Sequence, residues 1–223
     1  MTKPRQKKGP APLQAVYSDL YRAWGPQHWW PGRTRFEVIV GAILTQNTAW
    51  ANVEKAIRNL RVARALTPRA LHEAELDTLA EWIRPAGYFN VKARRLRAFT
   101  DLLVDRFDGK LNRLFALETS LLRTTLLSVN GIGPETADSI LLYAGQRPRF
   151  VIDAYTRRVL ERHGWAAADA TYDEVAALFM QALPRDVALY NEFHALFVRL
   201  GKDHCKPRPQ CAACPLRGWP LKK

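Results

Sequence analysis

Leu126-Leu127-Ser128-Val129-Asn130-Gly131-Ile132-Gly133-Pro134-Glu135-Thr136-Ala137-Asp138-Ser139-Ile140-Leu141 is the stretch that decides the fold. A helical pattern ends at Val129, and Gly131-Ile132-Gly133 puts glycine where a positive φ carries no Cβ penalty. Pro134 suits the first turn of a second helix. Ala137, Ile140 and Leu141 give that helix an apolar stripe, and Ile132 is placed to plug the gap between the two helices. N–H groups at a tight glycine turn and a helix start point outward together, an arrangement that suits a backbone phosphate. Gly131, Ile132, Gly133 and Thr136 are its candidate residues. Such a contact fixes register and reads no sequence. A pair of helices packed only for stability shows the same pattern.

Around this hairpin (126–143) the chain reads as all-α, about ten short helices joined by short loops. Leu13 to Trp24 is amphipathic and stops at Gly25-Pro26. Phe36 to Leu44 is strongly apolar, Thr45-Gln46-Asn47-Thr48 interrupts it, and Trp50 to Leu60 resumes as a second amphipathic run. Thr67-Pro68 starts a helix, and Leu79 to Ile83 forms another that ends at Pro85 and Gly87. Asn90 to Phe107 is long and basic, and Leu114 to Val129 leads into the hairpin. Asp153 to His163, Tyr172 to Leu183 and Ala188 to Leu200 follow. Residues 1–12 read as a disordered basic arm with no apolar segment of a secretory signal behind it.

Charge narrows the partners. Lys and Arg total 34 against 21 Asp and Glu, a net charge of +13, which favours a polyanion. No apolar run is long enough for a membrane span. The three cysteines, Cys205, Cys211 and Cys214, lie in one C-terminal cluster. An odd, clustered set without a signal points to a reducing cytoplasm and a metal or cluster site, not to a disulfide framework.

Asp153 closes the apolar triplet Phe150-Val151-Ile152 and opens a helix, an N-cap position that Asp favours. A capping carboxylate can also face a cleft, and both readings stand.

The glycine hairpin, the Gly145/Pro148 loop, Asp153, the Leu44-Thr45-Gln46-Asn47-Thr48 segment and the C-terminal cysteines together resemble the helix–hairpin–helix DNA glycosylase superfamily, endonuclease III-like class. The resemblance runs from about Val16 to Leu216. It implies a two-lobed all-α enzyme of base-excision repair with a DNA-binding cleft, a monomer acting on double-stranded DNA in the cytoplasm, at the nucleoid. Its lobes would be 35–145, and 13–34 together with 146–223. By resemblance Asp153 is catalytic, stabilising positive charge on the sugar and helping to activate the nucleophile.

Members that also cut the strand carry in the hairpin's second helix a Lys that forms a Schiff base; here that position is Glu135, which implies a glycosylase without lyase activity. Gln46 or Asn47 would fill the gap left by a flipped nucleotide. Trp29, Trp30 and Trp50 are candidates for stacking on the base, and Lys92, Arg94, Arg95 and Arg157 for phosphates. Trp29-Trp30-Pro31, Leu44-Thr45-Gln46-Asn47-Thr48 and Gly87-Tyr88-Phe89-Asn90-Val91-Lys92-Ala93 together resemble the branch that removes alkylated purines such as 3-methyladenine. Oxidised pyrimidines, or DNA binding without catalysis, are the competing readings. Cys205-x5-Cys211-x2-Cys214 resembles an iron–sulfur loop lacking its fourth cysteine. His204 or an outside thiol could complete a [4Fe-4S] set, with zinc or no metal as alternatives.

Overall fold

The computed structural model describes residues 11–222, and the expected arm at 1–12 lies, but for Ala11 and Pro12, outside them. The described residues form helices joined by turns, with no strand among them. In chain order the α-helices are α1 (Leu13–Trp24), α2 (Arg35–Leu44), α3 (Trp50–Val62), α4 (Pro68–Glu73), α5 (Leu76–Trp82) and α6 (Phe89–Phe107). Then come α7 (Leu111–Phe115), α8 (Thr119–Leu127), α9 (Pro134–Ser139), α10 (Ala154–His163), α11 (Tyr172–Ala182) and α12 (Val187–Asp203). A 3₁₀ turn, Arg84–Ala86, precedes α6, and a π-helical turn, Ile140–Ala144, continues α9. No described helix is long and apolar enough to cross a membrane.

The expected helix 114–129 is two helices. Glu118 caps α8 with a carboxylate that accepts from the Ser120 N–H at 2.7 Å, and this local bond separates α7 from α8. The helix expected at Leu79 starts earlier, at Leu76.

The chain divides into two units, one of Trp30–Arg147 and one of Met1–Trp29 with Pro148–Lys223. In the first, α2 is buried from Phe36 to Leu44 and packs on α3, α6, α9 and the π turn. An apolar run makes such a central helix, and its one charged residue, the buried Glu37, accepts from Arg61 Nη2. Thr34 caps it, accepting from the Glu37 N–H at 3.1 Å. The unit begins at Trp30, not at Arg35 as expected, because Trp30 packs on Trp50 and Tyr143, with ring centroids 5.1 and 4.9 Å away.

In the second unit, α12 packs on α1 and α10. Its core is aromatic: Phe150 stacks on Phe179 at 3.8 Å, and Phe193 stacks on Phe197 at 4.8 Å. Each such ring stabilises the fold by about 1.5–3 kcal/mol through burial. Gly201 lets α12 approach α10, since a Cβ there would meet the Tyr155 ring at 2.3 Å.

Candidate nucleic-acid interface and catalytic carboxylate

The hairpin joins α8 to α9. Gly131 has φ +87, whereas Gly133 has an ordinary extended φ of −90, so only the first of the two glycines meets the conformational demand expected of both. Ile132 is buried and does plug the turn, and its N–H is spent on the Val129 carbonyl at 3.0 Å. An N–H so occupied is not offered to a phosphate, which corrects the expectation for Ile132. Gly133 and Glu135 are exposed, no side chain caps α9, and a Cβ at Gly133 would meet nothing within 4 Å.

Thr136 departs from expectation. It is buried, and its hydroxyl accepts from Gln46 Nε2 at 2.9 Å. The same Gln46 nitrogen donates to the Gly131 carbonyl at 2.9 Å, and Arg95 donates to Gln46 Oε1. Gln46 is thus held against the hairpin with both ends of its amide used, and it does not project as a gap-filling side chain. Asn47, next to it, is exposed at φ +54.

Lys92 also departs from expectation. It is 1% exposed, and its ammonium donates to the Leu44 carbonyl at 2.8 Å, to Thr48 Oγ1 at 2.5 Å and to the Ala86 carbonyl at 2.9 Å. Burial, then the Arg95 charge, push its pKa down to about 8. It is an internal tie, not a phosphate ligand. Arg157 is half-buried and donates to the Ala170 carbonyl at 2.8 Å, so it closes the segment after α10 and does not stand free in solvent. Arg94 is exposed.

Tyr88, which carried no site role in the sequence reading, is 74% exposed and left-handed at φ +47. A bulky residue in that region is uncommon. The signal available in sequence was its neighbour Gly87, itself at φ +66.

Trp30 and Trp50 come together edge to face, 83° between planes, and Trp50 Nε1 donates to Glu54 at 2.9 Å. Gly41 makes room for them, since a Cβ there would stand 3.3 Å from the Trp50 ring. Trp29 falls in the other unit, with the Lys202 ammonium 5.9 Å from its ring centroid, so the three tryptophans do not form one cluster within a unit.

Asp153 is the N-cap of α10. Its Oδ1 accepts from the Thr156 N–H at 2.7 Å, and its Oδ2 lies 3.7 Å from His194 Nε2. The carboxylate is 12% exposed in the side chain, so capping leaves it a route to solvent. His194, on α12, is buried; burial pushes its imidazole down and the Asp153 charge opposes that. No sequence signal paired these two residues.

The cysteine segment fits a four-thiolate cluster poorly. Pro220 stands where a fourth cysteine would follow, and its carbonyl lies 3.0 Å from His163 Nδ1. His204 stacks parallel to Trp24, 9° between planes, and among the described residues no three His, Cys, Asp or Glu side chains gather to hold a metal. The thiols line a cavity of about 470 Å³ with His204 and Arg162. Two arginines of α10 tie the segment down. Arg162 donates to Cys205 Sγ at 3.2 Å and to the Lys206 and Pro207 carbonyls at 2.6 and 2.9 Å. Arg158 reaches the Cys205 carbonyl at 2.6 Å.

Similarity to known proteins agrees with this geometry. Residues 40–185 match the HhH-GPD superfamily base excision DNA repair protein. The chain is 45% identical over 213 residues to a putative DNA repair glycosylase of Methanocaldococcus jannaschii, covering 95% of this chain and 96% of that one. It is 30% identical over 192 residues to the endonuclease III of Sulfolobus acidocaldarius, covering 84% and 83%. The crystal structure of H. pylori 3-methyladenine DNA glycosylase bound to 1,N6-ethenoadenine has a TM-score of 0.71 and 31% identity, covering 85% of this chain and 95% of that one. A non-covalent endonuclease III–DNA complex shares the fold at a TM-score of 0.78 and 24% identity, covering 93% and 92%. The family match begins inside α2 and ends beyond α11, and so takes in both the hairpin and Asp153; this chain belongs to the HhH-GPD superfamily of base excision DNA repair glycosylases, endonuclease III-like in class.

Proposed function

We propose that the protein is a monofunctional DNA glycosylase that hydrolyses the N-glycosidic bond of a damaged base in double-stranded DNA, with alkylated purines as the substrate class. The observation that carries this is Asp153, a carboxylate fixed by one oxygen to the start of α10 while still partly exposed. As the C1′–N bond breaks, the bonding electrons leave with the base and positive charge develops on the sugar. A rigid anion stabilises that charge more in the transition state than in the ground state. Water then bonds to C1′ and gives up a proton, which Asp153 is suited to take. A purine alkylated at N3 or N7, such as 3-methyladenine, is already cationic and leaves without prior protonation.

Three features support the finer points. Glu135, exposed in the first turn of α9, occupies the position where strand-cutting relatives carry Lys, and a carboxylate cannot form an imine with the sugar. Nothing inside the fold requires glycine at Gly133, whereas a phosphate drawn close to the N–H groups of α9 would. Trp30 and Trp50, with Tyr143, form a half-open aromatic cluster of the kind that stacks on a base, and the 31% identical H. pylori enzyme is named for 3-methyladenine. Asn47 and Tyr88, exposed and left-handed, are the side chains suited to filling the gap in the duplex.

The test is release of free base from duplexes containing 3-methyladenine, 1,N6-ethenoadenine or thymine glycol. We expect release from the 3-methyladenine duplex, strand scission only after alkali, and no borohydride-trapped complex. Asp153→Asn should lower the single-turnover rate by about 10²–10³-fold with abasic-duplex binding retained. Release from thymine glycol with efficient trapping would replace this reading with a bifunctional one. Tight binding with no release from any duplex would leave a DNA-binding protein.

A further inference from the structure

Two exposed turns of the Trp30–Arg147 unit carry left-handed residues at their tips, Asn47 between α2 and α3, and Tyr88 before α6. They are far apart in sequence, and each is short and open to solvent. Left alone, such turns open and close independently of each other. Here they share one anchor. The Lys92 ammonium takes the last carbonyl of α2, at Leu44, and Thr48 Oγ1 from the first turn, and the Ala86 carbonyl from the second. Thr48 Oγ1 closes the triangle by donating to the Ala86 carbonyl at 2.6 Å. One turn further along α6, Arg95 holds Gln46, which holds the Gly131 carbonyl of the hairpin. A Cβ on Gly131 would meet the Arg95 stem at 2.3 Å, so the arginine lies directly over the glycine turn.

We propose that Lys92 is a positioning residue whose ammonium binds the Asn47 turn and the Tyr88 turn into one body, in register with the hairpin that Arg95 holds to the same helix. The burial of a lysine explains itself on this view. An ammonium in a 1% exposed site is expensive to desolvate, and three oxygen acceptors from two separate turns offset that cost. A methionine would fill the volume and pack better, but it would leave the two turns untied. The inference rests on the glycosylase reading above for its consequence in catalysis, while the coupling of the turns stands on the hydrogen bonds alone.

The experiment separates the two. Amide hydrogen exchange, corrected for intrinsic rates, is followed in peptides covering 44–48 and 86–90 for the wild type, Lys92→Met, Thr48→Val and Thr48→Ser. Lys92→Met and Thr48→Val should speed exchange in both segments by more than 10-fold, with α2 and the rest of α6 changed by less than twofold. Thr48→Ser, which keeps the hydroxyl, should behave as the wild type. On an alkylated duplex the first two variants should lower the single-turnover rate of base release at least 10-fold while abasic-duplex affinity moves less than threefold. If Lys92→Met does not fold, Thr48→Val carries the test. Exchange that rises in one segment only, that spreads through α2 and α6, or that does not change would overturn the coupling. Coupled exchange without any wild-type base release would overturn the glycosylase reading and leave the coupling intact.

Discussion

The hairpin and the cysteine segment both carry a family resemblance in sequence, and they fare differently in the folded chain. The hairpin's resemblance lies in backbone conformation: one positive φ at Gly131, an apolar plug at Ile132 and a proline entry to α9. Exchanging Lys for Glu135 alters its chemistry and leaves its shape alone. The cysteine segment's resemblance lies in a donor count, and one of the four cysteines is missing from it. What holds that segment is a pair of arginines from α10. A motif written in geometry tolerates substitution of its side chains, whereas a motif written in ligands does not.

The largest test of that contrast is Arg162→Ala. It removes donors to the Lys206 and Pro207 carbonyls and to Cys205 Sγ, all inside the cysteine segment. Charged hydrogen bonds of this kind contribute about 1.5–3 kcal/mol each before solvent compensates exposed ones. We expect a loss of about 2–3 kcal/mol in urea unfolding, unaffected by chelator. A loss below 0.5 kcal/mol, roughly the level of an ordinary surface substitution, would mean that the arginines do not hold the segment.

Next comes the pair of hairpin glycines. Gly131→Ala forces a Cβ into φ +87 and against the Arg95 stem, and should cost about 1–2 kcal/mol. Gly133→Ala meets ordinary φ and open space, so stability should stay within about 0.5 kcal/mol of the wild type while DNA affinity falls several-fold. If the two variants lose stability equally, the division between folding glycine and binding glycine is wrong.

Acid and alkali should change the stability of the two units through different groups and in different pH ranges. His163 and His194 are pushed below 6.5 by burial, so the unfolded chain binds more protons than the folded one as pH falls through 6.5. Stability therefore drops on acidification from that point and levels off below the folded values. His194→Gln should flatten part of this limb. Lys92 is pushed down to about 8 from 10.5, and the same sign applies: its contribution to stability rises from pH 8 to 10.5. Lys92→Met should remove that rise. Unfolding midpoints measured from pH 5 to 10.5 check both limbs.

How much of this was legible beforehand varies by element. The ends of α1 and α4 were, because Gly25-Pro26 and Thr67-Pro68 act through local backbone geometry. The break before α8 was not, because it depends on the Glu118 carboxylate turning back to an N–H two residues on. Lys92 was legible and misread: it stands in the stripe Lys92, Ala93, Leu96, Phe99 and Leu103 that α6 buries, and inward spacing outweighed its charge. Gln46 and the pairing of Asp153 with His194 join residues distant in sequence, and no periodicity encodes those.

The smallest expected effect decides the contrast most cleanly. Replacing Cys205, Cys211 and Cys214 together by Ser removes every thiol in the chain. In a loop built on a four-thiolate cluster this change abolishes the ligand set and unfolds the segment. Here Cys211 is exposed, and Cys205 and Cys214 are only partly buried. The Arg162 and Arg158 bonds to backbone carbonyls survive the substitution, and Ser keeps an acceptor near Arg162 where Cys205 Sγ now lies. The triple variant should therefore lie within about 1 kcal/mol of the wild type, with Cys214 contributing most of the loss. Its alkaline limb supplies a second readout. Burial pushes the Cys214 thiol above 9.0, so the folded chain holds that proton longer than the unfolded chain does, and stability falls as pH rises through 9. The serine variant lacks this fall. Unfolding of the triple variant at neutral pH, or about four irons per wild-type chain by metal analysis, would restore the cluster to this segment and refute its reading as an arginine-held loop.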